Sequence, residues 1–144
     1  MAQTIGSVMT SAVLTIHESQ TVQEAASLMK QHQIGALPVV NDRDEVVGMI
    51  TDRDITLRTT AEGDSVHTPI SEVMSSHHVI QATPDMDVSQ AAQLMSEYQV
   101  RRLPVVENGR VVGMVSLGDL AVDDQHDHKA GEALSKISTP SHPV

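Results

Sequence analysis

The sequence predicts a mixed α/β (α+β) fold in which one strand–helix–strand–strand–helix (βαββα) unit occurs twice. Residues 21–40 (TVQEAASLMKQHQIGALPVV) and residues 87–106 (DVSQAAQLMSEYQVRRLPVV) are identical at ten of twenty positions, where chance would give roughly one or two. Residues 46–55 match residues 111–120 at nearly the same spacing. With 144 residues, the chain can hold both copies in one compact module but is too short for two ordinary domains.

Each copy is expected to begin with a short strand, at Val13–Ile16 and at Val79–Gln81, and to continue with an amphipathic helix. A capping box predicts where each helix starts, at Thr21-x-x-Glu24 and at Asp87-x-x-Gln90. The predicted buried face has the helical spacing i, i+3, i+4 and i+7. Its residues are Val22, Ala25, Ala26 and Met29 in the first copy and Val88, Ala91, Ala92 and Met95 in the second.

Runs rich in β-branched residues predict a β-hairpin after each helix. Asn108-Gly109, a strong signal for a tight hairpin turn, separates the two runs of the second copy. The connecting loop of the first copy is one residue longer. The strands are expected at Leu37–Val40 and Val46–Ile50, and again at Leu103–Val106 and Val111–Val115.

The repeat also sets the expected boundaries: a first repeat at 7–60, a linker and lead into the second at 61–72, a second repeat at 73–122 and a polar tail at 123–144. The tail has no sustained apolar period, so we expect it to be flexible. Its His126 and His128 lie beside carboxylates and could bind zinc or nickel. A mobile acidic tail without a metal is favoured, because no rigid framework holds these ligands in place.

Composition excludes several classes of function. Nineteen acidic and nine basic residues give a formal net charge of −10, which argues against nucleic acid or an anionic membrane as the main partner. The absence of cysteine removes disulfides, thiol nucleophiles and iron–sulfur clusters. We find no secretory signal and no apolar run of the roughly 20 residues that a membrane span needs, so we expect a cytoplasmic protein. The common catalytic signatures are also missing, and we do not expect an enzyme.

The informative motifs are Thr51-x-x-Asp54 and Ser116-x-x-Asp119, each placed where a strand leads into a helix. One interpretation is helix capping, in which the hydroxyl and the carboxylate accept backbone N–H groups. The other is a ribose-phosphate site, because free N–H groups and a hydroxyl can bind phosphate while a carboxylate accepts both hydroxyls of a ribose. Both roles can coexist.

Together these motifs resemble the CBS domain, named for cystathionine β-synthase, and two in tandem resemble a CBS pair, or Bateman module. The resemblance covers about Ser7–Leu120. It implies two βαββα repeats packed about a pseudo-twofold axis, with clefts that bind adenosine-containing ligands such as AMP, ADP, ATP or S-adenosylmethionine. It also implies a homodimer, and a non-catalytic sensor that requires no further cofactor or metal and acts through an effector protein.

The resemblance assigns roles to single positions. Asp54 and Asp119 match the ribose-binding aspartates, with Thr51 and Ser116 as the hydroxyl donors. The basic residues that meet phosphate in the family correspond to Arg101 and Arg102. These align with Gly35 and Ala36 of the first repeat, and Arg53 aligns with Gly118. Without the resemblance, Arg101 and Arg102 are equally explained as a solvated pair at a strand edge. If each cleft mixes the repeats as in the family, Arg101 and Arg102 join Thr51, Arg53 and Asp54.

Further positions are weaker candidates. The chain has one aromatic residue, Tyr98, so an adenine is expected to lie between aliphatic side chains. The candidates are Val13, Ile34, Val79 and Val100, each equally explained as ordinary core. His77 and His78, just before the second-repeat strand, are candidates to assist phosphate binding, and simple exposure to solvent explains them equally well.

Two alternatives to a nucleotide sensor stay open. One is a metal-dependent nucleotide hydrolase at Asp52-Arg53-Asp54, which needs a bound divalent ion and a positioned base. The other is a structural dimerisation module whose clefts are vestigial, because the cleft that contains Ser116 and Asp119 would receive Gly35 and Ala36 in place of arginines.

We therefore expect Asp54→Ala to weaken nucleotide binding more than Asp119→Ala, because the resemblance groups the arginines with Asp54. Loss of the charge-assisted hydrogen bonds costs about 1.5–3 kcal/mol. Calorimetric titration of AMP into both variants measures the difference, and equal losses contradict the expected asymmetry.

Overall fold

The computed structural model describes residues 3–11, 13–75 and 80–121. They form two compact units. The continuous unit consists of residues 14–75, and the discontinuous unit combines residues 3–11 and 13 with residues 80–121. The predictions for His77, His78, Val79 and the tail, including His126 and His128, lie outside the described residues.

Each unit contains a helix packed on a small sheet, as the repeat predicts. In chain order the elements are α1 (Ile5–Val8), β1 (Ile16–His17), α2 (Val22–His32), β2 (Ala36–Val40), β3 (Val46–Thr51), α3 (Asp52–Ile55), a π-helical turn (Thr56–Thr60), a 3₁₀ turn (Ile70–Glu72), α4 (Val88–Tyr98), β4 (Arg102–Glu107), β5 (Arg110–Ser116) and α5 (Leu117–Ala121). The sheet of the continuous unit has the order β1-β2-β3, with β1 parallel and β3 antiparallel to β2. β4 and β5 form an antiparallel hairpin. The predicted mixed α+β class is confirmed.

The two long helices begin where their caps predict. Asp87 and Gln90 form the complete capping box of α4. In α2 only half of the box forms: Thr21 Oγ1 accepts the Glu24 N–H at 3.2 Å, while the Glu24 carboxylate accepts from Gln20 Nε2 at 2.6 Å. Within the described ranges, no helix is both long and apolar enough to cross a membrane.

The predicted buried faces of α2 and α4 pack in the cores of their units, except at one residue. All four predicted residues of α4 are buried, and so are Val22, Ala25 and Met29 of α2. The prediction for Ala26 is wrong, because its side chain is exposed. Leu28, on the other edge of the predicted face, packs against this core instead. α2 therefore uses a narrower buried face than α4.

The two hairpin turns form at the residues that the sequence predicts. Asn108 and Gly109 have φ angles of 56° and 81°, the two positive values that a type I′ hairpin turn requires. The first hairpin closes through a longer loop, in which Asn41 Oδ1 accepts the backbone N–H groups of Arg43 and Glu45. Asp44 supplies the positive φ there. The β4–β5 and β2–β3 hairpins are both confirmed.

The first strand of each repeat differs from its prediction, and prolines in the neighbouring strands limit both. In the second repeat, neither Ile80 nor Gln81 belongs to a strand, and Ala82 pairs with Val105 through an isolated bridge instead. Ala82 donates to the Pro104 carbonyl at 2.9 Å and accepts the Val106 N–H at 2.8 Å. In a parallel ladder the next bond upstream would need the N–H of Pro104, which proline lacks. Pro38 occupies the same position in β2, and β1 accordingly covers Ile16–His17 rather than Val13–Ile16.

The segments that precede the strands are exchanged between the repeats. Thr10 and Met114 form a two-bond backbone bridge at 2.8 and 2.9 Å within the discontinuous unit. Ser75 and Met49, at equivalent sequence positions, form the same bridge at 2.9 and 3.1 Å within the continuous unit. The compact units and the sequence repeats thus divide the chain at different places.

A glycine permits each of these bridges. A Cβ added to Gly113 would lie 2.5 Å from Met9 Sδ and 2.9 Å from the Thr10 carbonyl oxygen. A Cβ added to Gly48 would lie 2.8 Å from both Met74 Sδ and the Ser75 carbonyl oxygen. A backbone oxygen this close cannot move aside without disturbing the bridge, so both strands need glycine here.

We expect Gly113→Ala to destabilise the protein by about 1–3 kcal/mol, as overpacking of a closely packed site does. Gly118→Ala is the matched control, since its Cβ would meet only Ser116 Oγ at 3.5 Å, an ordinary contact, and alanine favours the helix. Chemical denaturation of both variants measures the difference. A Gly113→Ala protein as stable as the wild type contradicts the steric argument.

Candidate ligand-binding site

The two Thr/Ser-x-x-Asp motifs adopt one geometry. Thr51 Oγ1 accepts the Asp54 N–H at 3.1 Å, and Asp54 Oδ2 accepts the Thr51 N–H at 3.0 Å. Ser116 Oγ accepts the Asp119 N–H at 3.2 Å, and Asp119 Oδ2 accepts the Ser116 N–H at 2.8 Å. Each motif is therefore a reciprocal capping box at a strand–helix junction. The capping interpretation is confirmed.

The caps leave one carboxylate oxygen of each aspartate for another partner. Asp54 Oδ1 lies 3.9 Å from Arg58 Nε, beyond hydrogen-bond distance, and the Asp54 side chain is 14% exposed. Asp119 Oδ1 has no hydrogen-bond partner among the residues that the structure describes. Because the cap fixes the orientation of the carboxylate, the second oxygen is held ready to accept a hydroxyl hydrogen.

The first residues of β2 and β4, and the residues just before them, lie directly beside these motifs, and here the units differ. Ala36 is opposite Thr51, and the Asp52 N–H donates to the Gly35 carbonyl at 2.9 Å. In the discontinuous unit Arg102 is opposite Ser116. There the Leu117 N–H donates to the Arg101 carbonyl at 3.0 Å. Directly opposed residues of an antiparallel pair share a face of the sheet, so exposed Arg102 stands next to Ser116.

Arg53 belongs to the first motif, on α3, with an exposed side chain. Its backbone N–H donates to Asp52 Oδ1 at 2.8 Å, so the Asp52 carboxylate is used in the same helical turn. The expected grouping of Arg101 and Arg102 with Thr51, Arg53 and Asp54 takes residues from both units and stays a prediction.

The candidate adenine-contacting residues have different environments. Ile34 and Val100 each follow a left-handed glutamine that ends the preceding helix. Ile34 is exposed, whereas Val100 is half-buried and packs against the core of its unit. Val13 is half-buried as well. Ile34 is thus the most accessible of the described candidates.

One residue near the first motif was missed by sequence reasoning. Arg58 Nη1 donates to the Val73 carbonyl at 3.2 Å, and its Nε faces Asp54 Oδ1. The signal was present in the sequence, since an aspartate and an arginine at i and i+4 meet on one helix face. The second repeat has Asp123 at the equivalent position, four residues after Asp119.

A Ser-His-Asp arrangement occurs elsewhere, at the end of β1. His17 Nε2 lies 2.7 Å from Asp42 Oδ1, and His17 Nδ1 lies 2.7 Å from Ser19 Oγ. The Ser19 N–H also donates to Nδ1, at 3.1 Å, so this amide is not available to stabilise an oxyanion beside the hydroxyl. The arrangement ties the turn after β1 to the first hairpin loop, and we assign it a structural role.

Within residues 3–11, 13–75 and 80–121, no group of three or more His, Cys, Asp or Glu residues is placed to hold a metal ion.

Comparison with known proteins identifies the repeat. The chain is 52% identical over 130 residues to the CBS domain-containing protein YhcV of Bacillus subtilis, covering 90% of this chain and 91% of that protein. The crystal structure of Hypoxic Response Protein I, which has two coordinated zinc ions, matches with a TM-score of 0.77 and 34% identity over 83% of this chain and 98% of that one. The CBS domain pair of protein MJ0100, in complex with 5′-methylthioadenosine and S-adenosyl-L-methionine, matches with a TM-score of 0.76 and 31% identity over 85% of this chain and 95% of that one.

The family comparison agrees with the internal repeat. A sequence model of the CBS domain matches twice, at residues 5–58 and at residues 70–122. Both matches begin at or before the exchanged segments and contain one Thr/Ser-x-x-Asp motif each. The chain therefore belongs to the CBS domain family and contains two CBS domains in tandem.

Proposed function

We propose that this protein is a regulatory module that binds an adenosine-containing ligand without chemically changing it. The observation that carries the proposal is the pair of capped aspartates, each of which keeps one oriented carboxylate oxygen, Oδ1, outside its cap. The MJ0100 pair, which binds 5′-methylthioadenosine and S-adenosyl-L-methionine, supports an adenosine-containing ligand for this chain too. AMP, ADP and ATP belong to the same chemical class.

The ribose is assigned to Asp54 and Asp119. A carboxylate oxygen can accept hydrogen bonds from the 2′ and 3′ hydroxyls of a ribose, and the neighbouring Thr51 or Ser116 hydroxyl adds a polar group on the same turn. Since Oδ2 of each carboxylate is held by a backbone N–H, ligand binding does not have to order these side chains. Less conformational entropy is then lost on binding.

Phosphate is assigned to Arg101 and Arg102. A guanidinium presents planar paired donors that fit two phosphate oxygens, and both side chains are exposed beside the second motif. Neither arginine has a carboxylate partner among the described ion pairs. In an acidic chain, this local positive charge favours an anionic ligand.

A non-catalytic role is favoured over the alternatives. The hydrolase hypothesis needs a bound divalent ion, and the described residues contain no group of three or more His, Cys, Asp or Glu side chains placed to hold one. The vestigial-cleft hypothesis explains the caps but gives no reason for the exposed arginines beside Ser116. Thermal unfolding with AMP, ADP, ATP, 5′-methylthioadenosine and S-adenosylmethionine tests the proposal, since a ligand at 100 times its Kd adds about 2.7 kcal/mol of stability. If none of the five changes the unfolding temperature, the proposal fails.

We expect replacement of both Arg101 and Arg102 by alanine to weaken AMP binding at least tenfold and to leave adenosine binding nearly unchanged, because adenosine has no phosphate. AMP binding by the wild type should also weaken with added salt. Arg110→Ala, at an exposed position of β5, is the control for a general loss of positive charge. Equal losses for adenosine and AMP, measured by calorimetry, contradict the phosphate assignment.

We also propose that the protein is a homodimer that signals to an effector protein. The helices rich in alanine and methionine offer small or adaptable faces for helix packing, and Ala26 of α2 is exposed in the single chain. A closed twofold pair is the commonest assembly. Light scattering at micromolar protein should therefore give twice the chain mass. A monomer mass that is independent of concentration rules the dimer out.

A further inference from the structure

Arg58 connects the first motif to the segment that closes the continuous unit. Its Nε faces Asp54 Oδ1 at 3.9 Å, and its Nη1 donates to the Val73 carbonyl at 3.2 Å. The side chain is 54% exposed, so the attraction to Asp54 is largely screened by water. One end of the guanidinium is therefore anchored on a backbone carbonyl while its other donors remain accessible.

The carbonyl that Arg58 holds belongs to a docked segment. Val73 is 2% exposed and lies in the core of the unit together with Ile70. The next two residues pack over Gly48, and Ser75 forms the backbone bridge with Met49. Four backbone hydrogen bonds also tie the segment 70–75 to the rest of the unit: Ile70 and Ser71 donate to the Gln20 and Glu18 carbonyls at 2.8 and 3.0 Å, and the Ser75–Met49 bridge supplies the other two. The hydrogen bond from Arg58 to the Val73 carbonyl is therefore well placed to affect how this segment packs on the unit.

The second motif cannot form the same connection. The residue four positions after Asp119 is Asp123, which carries a negative charge and has no hydrogen-bond donor when ionised. The segment equivalent to 73–75 is 8–10, which is bridged to Met114. The repeats share the cap, the glycine and the bridge, but the arginine occurs only in the first.

We propose that Arg58 couples nucleotide binding at Asp54 to the docking of residues 70–75, so that the first motif transmits the ligand signal and the second does not. This inference rests on the proposed ligand function. An anionic group beside the ribose attracts the accessible Nε and Nη2 of Arg58, while Nη1 keeps the Val73 carbonyl. The guanidinium then links the ligand to the segment, and binding tightens its docking. Thermodynamic reciprocity requires the docked segment to raise nucleotide affinity by the same factor.

Amide hydrogen exchange at Ser75 and Met49 tests the coupling, because these two amides form the bridge. In the wild type, AMP should slow exchange at both amides at least fivefold, and adenosine should have a much smaller effect. In Arg58→Gln the slowing by AMP should disappear, and AMP affinity should fall about 5- to 30-fold, within the usual range of coupling between sites. Exchange at Met114, in the other bridge, should not respond to the substitution.

Two controls separate the coupling from general effects. Arg43→Gln removes one exposed positive charge from a hairpin loop of the same unit and should behave as the wild type. Arg58→Lys keeps the charge but not the planar fork, so it should restore part of the AMP affinity and little of the slowed exchange. Thermal unfolding of Arg58→Gln checks that the fold is retained, as expected for a half-exposed side chain.

The outcomes are distinguishable. If the wild type binds neither AMP nor adenosine, the coupling of AMP to the segment is wrong, whereas the proposed ligand function fails only if ADP, ATP, 5′-methylthioadenosine and S-adenosylmethionine do not bind either. If AMP binds to the wild type and still slows exchange at Ser75 and Met49 in Arg58→Gln, the ligand function stands and the coupling is wrong. Equal slowing by adenosine and AMP in the wild type also overturns it, because adenosine carries no anionic group for Arg58.

Discussion

The close approach of a short segment to a glycine in a neighbouring strand determines how each unit is completed. At Gly48 and Gly113 the missing Cβ leaves room for a methionine sulfur and a backbone carbonyl, and a two-bond bridge forms beside each glycine. The same strands end three residues later at Thr51 and Ser116, where the Thr/Ser-x-x-Asp motifs begin. The packing that closes the sheet edge therefore also positions the residues assigned to ligand binding.

The capped aspartates are arranged so that one residue serves folding and stays available for the proposed recognition of a ligand. A reciprocal box satisfies two backbone N–H groups at the start of a helix, and such caps stabilise by about 1 kcal/mol each. It uses the Oδ2 atom of Asp54 and of Asp119 and leaves Oδ1 outside the box. The capping and ligand-binding interpretations thus concern different atoms of the same carboxylate. The structural role gives the proposed ligand-binding role its fixed geometry.

Local signals in the sequence predicted the local structure well. The Asn108-Gly109 turn, the start of α4 at Asp87 and the two hairpins all follow from neighbouring residues, so pattern and structure agree. The exchanged segments could not be predicted in this way, because the bridge between Thr10 and Met114 joins residues about a hundred positions apart. The exposure of Ala26 likewise depends on how α2 is placed on its sheet. At the site, the caps were predicted from spacing, whereas the contact of Arg58 with the Val73 carbonyl depends on tertiary packing.

Comparison of the two repeats separates what folding requires from what remains free to vary. The glycine, the capping hydroxyl and the aspartate occur in both copies. The close backbone approach requires the glycine, and the reciprocal capping box requires the hydroxyl and the carboxylate. The arginines do not repeat: Arg53 and Arg58 belong to the first copy, while Arg101 and Arg102 belong to the second. Exposed charges contribute little to stability, so folding places few limits on where they occur. The positive charge beside each aspartate therefore comes from a different element, the helical turns in one unit and the start of β4 in the other. If the proposed anionic ligand binds, the arginines near it at the first motif are anchored to a different part of the fold from the arginines near it at the second motif.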